Sequence, residues 1–150
     1  MDQKAFQEII LFAIRKEVEA ATLYGTYANL ASTEGARQMF KDLQSEEQKH
    51  KKILENLKKE DVTRYRLKKV SDLKIGDYIQ DEDYYPEMSY QEALLLAIKR
   101  EENSVRLYQD LFRGAEEPEL KKMFLVLSQE ESKHKLKLET EYDQRVLTEN

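Results

Sequence analysis

The hydrophobic and polar positions of the chain follow a helical period in four separate stretches. In each stretch, the positions of one face recur at spacings of three and four residues, as they do along the inward face of a bundle helix. The pattern predicts an all-α fold, a four-helix bundle. The inward positions are Phe6, Ile10, Ala13, Glu17, Ala20, Tyr24, Tyr27 and Ala31; Ala36, Phe40, Leu43, Glu47, His50, Leu54 and Leu57; Tyr90, Leu94, Ala97, Glu101, Ser104, Tyr108 and Leu111; and Leu120, Phe124, Leu127, Glu131, His134 and Leu138.

Capping and chain-breaking residues set the limits of these helices. Ser89, followed three residues later by Glu92, forms a capping box, and Pro118 suits the first turn of a helix. Residues 32–35 form a break after the first helix. The predicted helices run from Asp2 to Ala31, from Glu34 to Lys59, from Ser89 to Gly114 and from Pro118 to Val146.

The helical period fails between the second and third helices, over about residues 60–88. A segment of this length is too long for a tight turn between helices, but it can run the length of a helix pair, roughly 40 Å. We therefore predict a single domain, residues 1–150, in which two helix hairpins are joined by a long crossover. The alternative, which the sequence leaves open, is that the segment lets one hairpin swap into a neighbouring subunit.

Six polar residues occupy the middle of the inward faces, where apolar residues are expected. The only two histidines each follow a glutamate by three residues, so that each pair points in one direction from its helix. The second Glu-x-x-His pattern lies 84 residues after the first, and at the same offset a glutamate of the first helix is matched in the third. The chain is thus an internal duplication with six candidate metal ligands: Glu17, Glu47, His50, Glu101, Glu131 and His134.

The charge of these residues points to a dinuclear metal site. Four buried carboxylates would be costly without cations, and two divalent metals would balance them. A Glu from each of two helices, with a Glu-x-x-His from each of the other two, is a known dinuclear site of helical bundles. The expected arrangement has Glu47 and Glu131 bridging the metals, Glu17 and His50 completing one site, and Glu101 and His134 completing the other.

The residues around these ligands suggest which metal binds and what supports it. Oxygen and imidazole ligands suit iron or manganese, with zinc as an inert substitute. Tyr24 and Tyr108 each lie seven residues after a ligand glutamate, two turns along the same face, and we expect them to hydrogen-bond the carboxylates. Other nearby glutamates fall off the inward faces and are expected to be ordinary surface residues: Glu19, Glu46, Glu102 and Glu130.

Composition excludes several other kinds of site and partner. The absence of cysteine excludes disulfides, thiolate metal sites and iron–sulfur clusters from these residues. A net charge of −5 argues against nucleic acid as a partner. No stretch approaches the roughly 20 apolar residues of a membrane span, and the N-terminal region has no signal-peptide cleavage site. We therefore expect a cytoplasmic protein that does not bind a membrane.

With these six residues on four helices, the chain resembles ferritin-like di-iron carboxylate proteins of the rubrerythrin and bacterioferritin group, over about residues 3–147. The resemblance implies two iron ions as the cofactor, hydrogen peroxide or dioxygen as the oxidant, a separate electron donor protein, and a homo-oligomer of two or more subunits. Two features differ from rubrerythrins. The chain lacks the four cysteines of their rubredoxin domain, and Ser104 replaces a further glutamate three residues after the ligand of the third helix.

The function implied by the resemblance is an oxidoreductase that reduces peroxide or oxygen at a di-iron centre, in defence against oxidative stress. Three alternatives remain open in the sequence. Ferritin-like iron oxidation and storage would need a large closed shell of subunits. An oxygenase would need an apolar pocket beside the metals, which Phe40, Leu43, Phe124 and Leu127 could line. A bundle without metal would hold its inward Glu and His residues in buried salt bridges.

Overall fold

The computed structural model describes residues 3–59, residue 78 and residues 83–149. The described residues form four helices, and the prediction of an all-α four-helix bundle is confirmed. The last helix continues three residues beyond its predicted end, while the predicted cap at Asp2 lies outside the described residues. The helices are α1 Gln3–Leu30, α2 Glu34–Lys59, α3 Tyr90–Gly114 and α4 Pro118–Glu149.

Side-chain hydrogen bonds cap the starts of α2 and α3. The Ser89 hydroxyl accepts a hydrogen bond from the backbone N–H of Glu92 at 3.1 Å, as the capping pattern predicts. Thr33 does the same for the N–H of Ala36, also at 3.1 Å. These bonds satisfy backbone donors that have no partner within the first helical turn.

Two apolar clusters, one at each end of the bundle, show the direction of every helix. One contains the start of α1, the end of α2, the end of α3 and the start of α4; the other contains the opposite ends. Since α1 packs mainly against α2, and α3 mainly against α4, the chain forms two antiparallel hairpins, and α2 and α3 run in the same direction. This is the connectivity of a ferritin-like bundle.

A chain with this connectivity must travel the length of the bundle between α2 and α3. Most of the predicted crossover, residues 60–88, lies outside the described residues. Its described parts contact both ends: Tyr78 is buried in the first apolar cluster and Met88 in the second. Among the described residues, no helix has the length and apolar character that spanning a membrane requires.

The predicted inward faces are the buried faces, with three partial exceptions. Ala20, Tyr90 and Ser104 are only partly buried. The six polar residues in the middle of these faces are between 0% and 2% exposed. They occupy the level between the two apolar clusters, so the bundle buries its charged residues at its centre and seals them at both ends.

Candidate metal centre

The structure brings the six candidate ligands together in two groups that share members. The first group combines Glu17 of α1 with Glu47 and His50 of α2 and with Glu131 of α4. Within it, one donor atom of each residue lies within 4.8 Å of the others. Nδ1 of His50 is 3.0 Å from Glu131, 3.2 Å from Glu47 and 3.5 Å from Glu17.

The second group repeats this arrangement through the other half of the chain. It combines Glu101 of α3 with Glu131 and His134 of α4 and with Glu47 of α2. Nδ1 of His134 is 3.1 Å from Glu47, 3.2 Å from Glu131 and 3.7 Å from Glu101. The groups share Glu47 and Glu131, the two residues expected to bridge. The histidine rings stack with centroids 5.7 Å apart.

The spacing of these donor atoms suits a common cation. Two ligand atoms, each about 2.1 Å from a metal and at right angles to one another, are about 3 Å apart. The shortest separations around both imidazoles lie at or slightly above that value. Each group could therefore hold a metal ion with little movement of its side chains.

Buried polar atoms without hydrogen bonds of good geometry are a second sign of this fit. Among the described residues, seven such atoms belong to the six candidate ligands, and every ligand contributes at least one. Buried polar atoms are almost always hydrogen-bonded, so a cluster of unpaired ones calls for an explanation. A pair of cations would satisfy all seven atoms, which are Glu17 Oε2, Glu47 Oε1, His50 Nδ1, Glu101 Oε2, Glu131 Oε1 and Oε2, and His134 Nδ1.

The surroundings of these carboxylates favour their protonated forms when no metal is bound. Burial, followed by the charges of neighbouring carboxylates, raises the pKa values of Glu17, Glu47 and Glu101 from 4.5 to about 7. Burial and the nearby Glu47 likewise raise the pKa of Glu131. The protein without metal therefore retains protons that binding of a cation would displace.

For the two imidazoles, the neighbouring carboxylates affect the pKa more than burial does. Burial lowers the pKa of His50, but the carboxylates of Glu131, Glu17 and Glu47 outweigh it and raise that pKa above its ordinary value. The pKa of His134 is raised in the same way. In the absence of metal, the imidazolium charges offset part of the negative charge of the carboxylates.

Tyr24 and Tyr108 both donate hydrogen bonds to candidate ligands, and each bond crosses to the other hairpin. The Tyr24 hydroxyl donates to Glu101, and the Tyr108 hydroxyl donates to Glu17 at 2.5 Å. Burial, followed by the charge of the partner carboxylate, raises the pKa of both tyrosines well above its usual range. The hydroxyls thus remain donors, and each leaves the second oxygen of its glutamate available.

Two residues expected on the surface also belong to this site. Nε2 of His50 hydrogen-bonds Glu130, and Nε2 of His134 hydrogen-bonds Glu46 at 2.5 Å. The expectation that Glu46 and Glu130 are ordinary surface carboxylates is wrong. Their side chains are 40% and 43% exposed, yet each spans the α2–α4 interface and orients an imidazole so that Nδ1 faces the carboxylates.

The residues that could line an oxygenase pocket lie within the buried core. Phe40, Leu43, Phe124 and Leu127 are all 0% exposed and pack within the two apolar clusters. These four residues thus belong to the core on either side of the six candidate ligands.

Comparisons with known proteins address the fold and the family. A sequence model described as Rubrerythrin matches residues 8–88 and 92–150. A hypothetical protein from Pyrococcus furiosus has a similar structure, with a TM-score of 0.71 at 21% identity, over 91% of this chain and 87% of that chain. At this identity the similarity concerns the fold. No curated protein matches the sequence.

Proposed function

The chain belongs to the rubrerythrin family, and from this we propose that it is a di-iron oxidoreductase that reduces hydrogen peroxide or dioxygen. The observation that carries the proposal is the pair of buried ligand groups that share Glu47 and Glu131. Two shared carboxylates would hold two cations close together, which suits a two-electron reaction better than two separate single-metal sites would.

We assign one metal to each of the two groups. Glu17 and His50 would complete one metal site, and Glu101 and His134 the other. When bound, two ferrous ions would supply two electrons that, with two protons, convert hydrogen peroxide to two waters. We further propose a separate electron donor protein as the reductant that restores the ferrous state, and a cytoplasmic homo-oligomer as the working form.

The surrounding residues of the chain have three roles in this proposal. Tyr24 and Tyr108 fix one oxygen of each unshared glutamate by hydrogen bonds. Glu46 and Glu130 hold the imidazoles in a fixed orientation. The apolar clusters exclude water from both ends of the site, which strengthens the electrostatic interactions between charged groups inside it.

Anaerobic titration with Fe(II) tests the proposal. We expect two irons per chain, which are oxidised faster by hydrogen peroxide than by dioxygen, and a chain that turns over repeatedly when a reductant is supplied. Uptake of many more irons after oxidation by dioxygen would support iron storage instead. A chain that binds no iron would contradict the proposal, and the H50A/H134A variant provides the background for nonspecific binding.

A further inference from the structure

A small cavity lies between α1 and α3, on the side of the candidate metal centre that carries no histidine. Its volume is about 20 Å³, enough for one water-sized molecule. Glu101 forms part of its wall, so the cavity reaches a candidate metal ligand. Tyr78, from the segment between the hairpins, also contributes to the wall.

The cavity lies where the two halves of the duplication meet. Lys16 and Arg100, which are separated by the repeat offset, both line it. Ala20 and Ser104, separated by the same offset, line it as well. Of the unshared ligands, Glu101 lines the cavity, so the cavity opens beside the ligand group that contains Glu101.

The small side chains of Ala20 and Ser104 account for the opening. Each stands three residues after a candidate ligand glutamate, at an inward position, yet each remains partly exposed. The corresponding positions of α2 and α4, three residues after the shared glutamates, carry the two histidines, each 1% exposed. Imidazoles thus fill one side of the site, and the opposite side is left open by an alanine and a serine.

The wall of the cavity is polar and contains a buried hydrogen-bond donor. Lys16, Arg100 and the carboxylate of Glu101 line it. Both cations pair with Glu19, and Arg100 also pairs with Asp83. The Nε–H of Arg100 is buried and, among the described residues, has no hydrogen-bond acceptor. This donor suits an oxygen atom of a small uncharged molecule such as hydrogen peroxide.

We propose that this cavity is the port through which a water-sized oxidant reaches the candidate metal centre, and that the side chains at positions 20 and 104 set its width. This inference rests on the proposed function, since the cavity would be the route by which the oxidant of that reaction reaches the metals. The small volume of the cavity favours hydrogen peroxide over bulkier hydroperoxides.

Replacing Ser104 by larger residues tests the port without changing a candidate ligand. The full chain is loaded anaerobically with Fe(II), bound iron is counted, and oxidation by hydrogen peroxide and by tert-butyl hydroperoxide is followed. A second readout, independent of turnover, is the rate at which azide binds to the oxidised protein. The series comprises S104A, S104V and S104L, and S45L serves as a matched control because Ser45 is exposed on α2.

If the cavity is the port, larger side chains at position 104 should slow the access of azide and peroxide progressively, while iron binding is retained. Relative to the wild type, S104L should bind azide and react with hydrogen peroxide at least about tenfold more slowly, because access would then require a conformational change. S104V should be intermediate, and S104A and S45L unchanged. The wild type should react more slowly with tert-butyl hydroperoxide than with hydrogen peroxide.

The experiment separates a failure of the port from a failure of the proposed function. If S104V and S104L bind two irons but keep wild-type rates with azide and peroxide, the port is refuted and the proposed function stands. If the wild type binds no iron, the proposed function fails and the port fails with it. If S104L does not fold, S104A and S104V are compared instead. Equal rates of azide binding to these two variants would refute the port.

Discussion

The hydroxyl of Tyr108 donates a 2.5 Å hydrogen bond to Glu17, a residue 91 positions earlier in the chain and on the other hairpin. Tyr24 donates in the same way to Glu101, 77 positions later. Each half of the duplication therefore positions a carboxylate of the other half. Neither hairpin contains a complete site, so the candidate metal centre depends on the packing of both.

Removing these hydroxyls should weaken metal binding without unfolding the bundle. In Y24F and Y108F, a candidate ligand loses the partner that fixes its orientation, and we expect metal affinity to fall about ten- to hundredfold. Anaerobic calorimetric titration with Mn(II) or Fe(II) measures the change. Y27F is the matched control, because the buried Tyr27 hydroxyl has no hydrogen-bond partner among the described residues. An equal loss in Y27F would contradict the assignment.

Removing the glutamates that orient the histidines should weaken metal binding to a similar degree. In E46A and E130A, an imidazole loses the acceptor at Nε2 and can rotate away from the carboxylates. We expect an affinity loss of about ten- to hundredfold for metal. The exposed Glu102 provides the control variant E102A. Wild-type affinity in both E46A and E130A would show that the hydrogen bonds do not support the site.

Glu46 and Glu130 show where prediction from the sequence fails. Each lies about 100° around the helix from its neighbouring ligand, and so off the inward face. A glutamate side chain is long enough to reach the facing helix, and periodicity alone does not account for that reach. A usable signal was present, since the two residues are separated by the same 84-residue offset as the candidate ligands.

The helices and the six candidate ligands were predictable for a simpler physical reason. Charged residues at inward positions are costly unless something compensates them, so their recurrence in a duplicated pattern identifies a site from the sequence alone. The partners of Tyr24 and Tyr108 were not predictable to the same extent, because spacing gives the face of a helix but not which helix lies opposite. The partial exposure of Ala20 and Ser104 likewise depends on how α1 and α3 pack.

Replacing a shared carboxylate should remove more metal than replacing an unshared one. Glu47 belongs to both groups, whereas Glu17 belongs to one. We expect E47A to lose both metals and E17A to retain about one per chain, at the site formed with Glu101 and His134. Elemental analysis after loading and desalting gives the count. Equal metal content in the two variants would argue against a shared role for Glu47.

The metal-free protein should become less stable as the pH rises from about 4.5 to 7. The pKa values of Glu17, Glu47 and Glu101 are raised from 4.5 to about 7 in the folded state, so the folded chain binds more protons than the unfolded chain over this range. The stability that these groups contribute is fully present below pH 4.5 and is lost as the pH rises through 7. Urea unfolding of the metal-free protein at several pH values measures this loss.

A variant that lacks two of these titrating groups is the control for that measurement. E17Q/E101Q keeps similar side-chain shapes without the carboxylate charges, and its stability should change less between pH 4.5 and 7. Metal affinity of the wild type should show the opposite trend and increase with pH, because bound cations displace protons from the ligands. A wild-type apo protein that gains stability over this range would contradict the raised pKa values.

The most direct test of a dinuclear centre is a crystal structure of the protein loaded with Fe(II) or Mn(II), with anomalous diffraction used to locate the metals. We expect two anomalous peaks per chain, about 3.5–4 Å apart, with Glu47 and Glu131 contacting both metals, and with His50 and His134 bound through Nδ1. A single peak, or metals that bind only at the bundle surface, would contradict a dinuclear centre.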